Sequence, residues 1–249
     1  MSGTAQTVAK GKSCTEPNYN TVNAAVAGAP SGSKIQICPG KYTEQLEITK
    51  ALTLNAVNGV GSATLAIPAV PAFSKTTCDE AGQTDEISIC GAITVSITNL
   101  TVEAVYPLTT CAGKVDAIYV AGGGTLKAST DTINGASTNN NAYKGCQHGL
   151  AVDVGQHSPE QVGHAVLRGD TISGYQKNGP TVRGKGSTLV ISGSTITSEG
   201  PSPYIGQNGI EVAYGGKGNI TATTVAGNEC NLANICKPST EEQASGILF

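Results

Sequence analysis

The chain has 249 residues, of which only 13% are charged and 4% aromatic, with no Trp and two Phe. That composition argues against packed helices around a large aromatic core, while 32 Gly and abundant Thr, Ser and Asn suit tight turns over a narrow aliphatic interior. A formal net charge of −3 favours neither nucleic acid nor an anionic membrane as partner, and no apolar run reaches the roughly 18 residues of a membrane span.

Residues 1–17 are polar and read as a flexible lead-in. Met1-Ser2-Gly3-Thr4 lacks the basic and apolar regions of a signal peptide, so Met1 is expected to stand where a signal has been removed. Over 18–28, Val22, Ala25 and Val26 share one helical face, with Asn20 as N-cap and Gly28 as stop, which predicts a short capping helix. Lys34–Cys38, Leu46–Ile48 and Leu52–Leu54 alternate and form the first turn of a coil. Residues 68–90, with prolines, two cysteines and the acids Asp79, Glu80, Asp85 and Glu86, predict a long disulfide-stapled loop. Alternation resumes at Ala92–Ile97.

From there the chain repeats. Val115–Val120, Gln147–Val152, Lys177–Val182 and Gln207–Val212 superpose with offsets of 149 − 117 = 32, 179 − 149 = 30 and 209 − 179 = 30, and Ala244–Phe249 begins a fifth copy. Short β runs at a period near thirty are the signature of a solenoid in which each repeat is one turn. With Asp131-Thr132-Ile133, Asp170-Thr171-Ile172, Ser194-Thr195-Ile196 and Thr223-Thr224-Val225 as a second recurring strand, each turn holds three short strands. The fold class is all-β: a single-stranded parallel β-helix of about seven turns, one domain over 18–249. Phe249 falls in mid-turn, and pairing through a bare strand edge there predicts a homodimer.

Eight cysteines without metal-ligand spacing read as disulfides and an oxidising, extracellular location. The favoured pairs are Cys14–Cys38, Cys78–Cys90 and Cys230–Cys236, which leaves Cys111–Cys146.

The repeats, together with Val22-Asn23-Ala24-Ala25-Val26 and Ile37-Cys38-Pro39-Gly40-Lys41-Tyr42-Thr43-Glu44, resemble the right-handed parallel β-helix proteins of the pectin-lyase-like superfamily, and secreted bacterial β-helix-repeat proteins in particular. The N-terminal stretch is similar to that of pectinesterases, and Gly174-Tyr175-Gln176 resembles a pectinesterase stretch that leads to a catalytic aspartate. Lys177 stands where that aspartate would be, and the later carboxylate and arginine-tryptophan motifs are missing. The resemblance therefore implies the fold and a polysaccharide-related role without the esterase chemistry.

Alternation sends Ile118, Leu150, Ile210 and Val120, Val152, Val182, Val212 inward. Tyr119, Ala151, Thr181 and Glu211 then form an outward column, with Asp153, Arg183, Ala213 and Tyr214 one step on. Asp116, His148, Asn178 and Asn208 lie just before the strands, preceded by Gln147, Lys177 and Gln207. Asn178 and Asn208 also read as turn residues before glycine. One face thus collects candidate catalytic groups: His148 as general base, Asp153 and Glu211 as a carboxylate pair, and Lys177 with Arg183 to neutralise a uronate. Asp116, Tyr119, Asn178, Asn208, Gln207 and Tyr214 are the substrate-binding candidates. No cofactor is implied beyond Ca²⁺ on hard oxygen ligands. Arg168, Lys177, Arg183 and Lys185 against Asp170 make this region locally basic, and Pro180 predicts a bend in the face.

The function these residues point to is a secreted protein that binds or cleaves an acidic, uronate-type polysaccharide, as lyase or hydrolase. The alternative is a non-catalytic structural or adhesion module. A third reading is ice or mineral-surface binding through Thr132, Thr171, Thr195 and Thr224. It ranks last because their spacings of 39, 24 and 29 look too irregular for a lattice.

Overall fold

The computed structural model describes residues 5–8, 17–69, 78, 83–230 and 244–249. A strand, β1 (Ala5–Val8), lies inside the expected lead-in and pairs in parallel with the first coil, so part of that stretch is structured. Helix α1 (Val22–Gly28) follows and buries Val22, Ala25 and Val26 over the end of the coil. Its N-cap is Thr21 rather than Asn20, the Thr21 hydroxyl accepting from Ala24 N at 3.1 Å. Ala29 rather than Gly28 ends it.

Among the described residues seven coils follow, each of three strands. The first is β2 (Ser33–Ile37), β3 (Gly40–Thr43) and β4 (Leu46–Ile48), the second β5 (Leu52–Ala56), β6 (Ala63–Ala66) and β7 (Gln83–Cys90). The third is β8 (Thr94–Thr98), β9 (Leu100–Val105) and β10 (Lys114–Ala121), the fourth β11 (Gly124–Ser129), β12 (Thr132–Ser137) and β13 (Leu150–Val154). The fifth is β14 (Gly163–Arg168), β15 (Thr171–Ser173) and β16 (Asn178–Arg183), the sixth β17 (Thr188–Ser192), β18 (Thr195–Thr197) and β19 (Asn208–Ala213). The last is β20 (Lys217–Thr221), β21 (Thr224–Ala226) and β22 (Ser245–Leu248). Equivalent strands stack into three parallel sheets, and the chain is an all-β, right-handed parallel β-helix. Leu52–Leu54 opens the second coil rather than closing the first, whose missing strand is β3.

The interior is a continuous stack of Ile, Leu, Val and Ala from Val8 to Ile210. The turn from first to second sheet is built alike in successive coils. A residue with positive φ occupies Asn99, Thr130, Gly169, Gly193 and Ala222, and its N–H bonds the next coil in the first four. Beside it Asp131 accepts from Leu100 N (2.7 Å) and Ser129 N (2.9 Å), and Asp170 accepts from Asp131 N (2.9 Å). Carboxylates thus satisfy turn amides that the ladders leave unpaired.

Cys78–Cys90 and Cys111–Cys146 are bridged as expected. The other two expected pairs involve Cys14 and Cys236, outside the described residues. Within the stretch expected to be a stapled loop, Gln83–Cys90 is a strand of the third sheet, with Asp85 and Glu86 buried in it.

Candidate functional site

The third sheet (β4, β7, β10, β13, β16, β19, β22) carries the expected face, in a different register. Asp116 pairs with Leu150 and Leu150 with Asn178, offsets of 150 − 116 = 34 and 178 − 150 = 28 where the repeats suggested 32 and 30. A slip of two residues leaves every side chain on its own face, so alternation alone does not detect it. Its effect is that Asp153, not Ala151, shares the column of Ser88, Tyr119, Thr181 and Glu211. Asp153 and Glu211 therefore flank Thr181, two strand spacings or roughly 10 Å apart. The sheet stays in register across Pro180, which pairs with Val152 without a bulge.

Over β7, β10 and β13 this face is closed. The turn 156–161 and Cys78 lie across it: the Tyr119 hydroxyl donates to Gln156 Oε1 (2.9 Å), with the Cys78 carbonyl 3.2 Å away, and Gln161 donates to that carbonyl at 2.7 Å. Tyr119, Asp153, Ser88 and Asp116 are all sealed. Asp116 accepts from Gln83 Nε2 (3.0 Å) and Leu150 N (2.9 Å), and burial, reinforced by the Asp153 charge, pushes its carboxyl up to about 7. These are not substrate contacts. Tyr119 and Asp116 hold the wall together.

Arg183 supplies the ionic anchor. Its Nε donates to Asp153 Oδ1 at 3.0 Å and its Nη2 to Oδ2, a two-pronged pair in which Asp153 is wholly buried and the arginine side chain 26% exposed. The neighbouring Asp153 raises the Arg183 pKa further, against the opposing cost of burial, so Arg183 is locked in its charged form. Asp153 has both oxygens on Arg183, so it does not offer the free carboxylate that hydrolysis or Ca²⁺ ligation asks for. Among the described residues no three His, Cys, Asp or Glu side chains converge as metal ligands.

Along the neighbouring edge Asn208 Nδ2 donates to Asn178 Oδ1 (3.0 Å), and Asn178 Nδ2 to Glu211 Oε2. Asn178 and Asn208 are thus a stacked ladder inside β16 and β19, not turn residues. Glu211 is half-buried, and its carboxyl is raised by burial against the opposing pull of Arg183 and Lys177. His148 Nε2 is 2.7 Å from the Cys111 carbonyl and donates there, which leaves Nδ1 as the nitrogen able to take a proton. Lys177 donates to Gly206 O at 2.8 Å. Gln207 donates to Tyr175 O at 2.7 Å. Tyr175 and Gln176, from the pectinesterase-like stretch, are buried in the corner before the sheet, where they bond Asn228 and the Tyr143–Cys146 loop. Arg168 sits on the first sheet, so the expected basic region is not a single patch.

The face opens only at the end of β16 and the second half of β19: Thr181 is still buried, while Arg183, Glu211 and Ala213 are partly exposed. Tyr214, just past the Ala213 that pairs with Arg183, is 62% exposed and adopts φ +50°. His157 stacks on it, ring centroids 4.2 Å apart and planes within 8°. With Arg183, Lys185 and Glu211 alongside, this is an exposed aromatic shelf beside fixed charge. Tyr214 was legible as an outward residue. His157 was not, because its turn interrupts the repeat and sequence distance hides the pairing.

No family model matches the sequence, and no curated protein resembles it. Among solved structures the chain is similar to a pectin methylesterase variant in complex with a hexasaccharide, at 16% identity and TM-score 0.51, over 87% of this chain and 66% of that one. It is also similar to an alginate lyase of the PL6 family, at 12% identity and TM-score 0.42, over 92% of this chain and 40% of that one. The chain thus spans less than two thirds of either neighbour. At these identities the likeness establishes the parallel β-helix and nothing finer.

Proposed function

We propose that the protein is a secreted binder of acidic polysaccharide, holding the chain against the open part of the third sheet without cleaving it. The observation that carries this is the Tyr214–His157 shelf set beside an Arg183 whose guanidinium is fixed in plane by a buried carboxylate. A flat aromatic covers a sugar face, and a pre-oriented guanidinium with donors to spare receives a uronate carboxylate at little entropic cost. Binding is favoured over turnover because Asp153 has both oxygens on Arg183, which breaks the expected Asp153–Glu211 carboxylate pair, and Lys177 donates to a backbone carbonyl. Two pair-forming disulfides fit the extracellular setting in which such glycans occur. Incubation with polygalacturonate and alginate, with and without Ca²⁺, is expected to show retarded migration in glycan-containing gels and neither unsaturated-product absorbance nor new reducing ends. Turnover of either kind would overturn the binding-only reading.

A second reading rests on the second sheet. Thr64, Thr101, Thr132, Thr171, Thr195 and Thr224 pair strand to strand in one unbroken column. Their irregular sequence spacing is absorbed by the loops, so it is no argument against a lattice: in space they repeat at roughly 4.8 Å. Such a column would suit a regularly repeating surface such as ice. Shaping of ice crystals that Thr195→Tyr abolishes would favour it, and unshaped growth would dismiss it.

A further inference from the structure

Charge is shared unevenly among the three sheets. The strands of the first sheet (β1, β2, β5, β8, β11, β14, β17 and β20) contain no Asp or Glu, although the chain as a whole is net negative. Four exposed cations, Lys34, Lys127, Arg168 and Lys217, stand on them among Ser, Thr and Asn. Strands of the other two sheets do carry carboxylates, such as Glu103 on the second and Glu211 on the third.

The cations draw together at β11 and β14. Lys127 pairs with Val166 and Ser129 with Arg168, so the two cations stand diagonally, one strand spacing and two residues apart, or about 8 Å between Cα atoms. Ser96 and Thr98 of β8 continue the same two rows on the other side. These six residues line a cleft with about 290 Å³ of space open to water. Among the described residues neither cation has an ion-pair partner, and the Ser96, Thr98 and Ser129 hydroxyls spend no proton on a hydrogen bond. The acids nearest in sequence, Asp131 and Asp170, are buried in the adjoining turns, where they accept backbone N–H groups.

We propose that the first sheet is a docking surface for a sulfated polysaccharide, with one sulfate ester seated between Lys127 and Arg168. A planar carboxylate is satisfied by a guanidinium fork alone. A sulfate ester has three terminal oxygens pointing apart, which suits an ammonium, a guanidinium and hydroxyl donors arriving from different sides. The cations run from Lys34 on β2 to Lys217 on β20, six strand spacings or roughly 29 Å, a length that fits a polymer rather than a single ion. No Phe, Tyr or Trp lies on these strands, so the surface offers no stacking platform for nucleic-acid bases. The surface is separate from the open end of the third sheet and does not depend on what binds there.

Isothermal titration of dextran sulfate, unsulfated dextran and polygalacturonate into the intact protein tests this. Dextran sulfate is expected to bind saturably, and more weakly as salt rises, while dextran gives no heat. Lys127→Ala combined with Arg168→Ala removes two exposed side chains, so the thermal midpoint should hold while dextran sulfate affinity falls at least about tenfold. That variant should bind polygalacturonate as the native protein does. Lys34→Ala combined with Lys217→Ala removes the same charge from the ends of the row and should cost far less. Dextran sulfate binding by a protein that ignores polygalacturonate would still support this surface. An equal loss in the two double variants would mean diffuse attraction without a seat and would overturn the proposal. So would undiminished binding without Lys127 and Arg168, displacement of the polymer by an equal concentration of inorganic sulfate, or equally tight binding of single-stranded DNA.

Discussion

Arg183 is the residue on which the open face turns. It bonds a fully buried Asp153, and removing one partner of such a pair strands a charge away from water. Arg183→Ala is expected to cost roughly 3 kcal/mol in urea unfolding, and Arg183→Leu combined with Asp153→Leu to recover most of it. A near-neutral single variant would mean the pair is solvated in practice. At the turn from first to second sheet in the third to seventh coils, by contrast, backbone conformation is the issue. Ala222 takes φ +47°, a region costly for any side chain, where the equivalent positions 169 and 193 are glycine. Ala222→Gly should therefore raise stability by about 0.5–1 kcal/mol, the strain relieved exceeding the flexibility given to the unfolded chain. A loss would show that neighbouring contacts impose the conformation without strain.

Among the elements, the stacked turn carboxylates tie stability to pH. Burial lifts Asp131 to about 7 and Asp170 to about 6, although backbone N–H groups pull both the other way. In the unfolded chain each titrates near about 3.9. From there up to the folded values the unfolded chain gives up protons that the fold retains, so this contribution is whole below about pH 4 and lost as pH rises toward about 7. Asp116, also raised to about 7, acts with the same sign. The urea midpoint is expected to be higher near pH 5 than near pH 7.5, and Asp131→Asn should flatten that slope. A midpoint that rises with pH would contradict the account. The strands themselves were readable because Ile and Val alternate with Thr, Ser and Asn along them. Their pairing was less so: the insertion 138–147 slides β13 by two residues, which preserves alternation and so left no mark in the pattern, yet it decides that Asp153 meets Thr181.

For the molecule as a whole, the seven-coil architecture was legible because a solenoid writes its period directly into its sequence. The site was only half legible. Outward residues such as Asp153, Arg183, Glu211 and Tyr214 were named from alternation, but an outward side chain is not necessarily a wet one. The turn 156–161 and Cys78 roof the face over Tyr119, and Asp116, Tyr119 and Asp153 become structure. The surviving claim is that the uncovered end, where Tyr214 and His157 stack beside Arg183, grips an acidic glycan. The most direct test is isothermal titration of polygalacturonate into the native protein and into Tyr214→Ala, with a neutral glucan as control. Saturable binding to the acidic chain alone, weakened about tenfold (~1.4 kcal/mol) by the substitution and by added salt, is the predicted result. Equal binding by both proteins, or none by the native one, would contradict it.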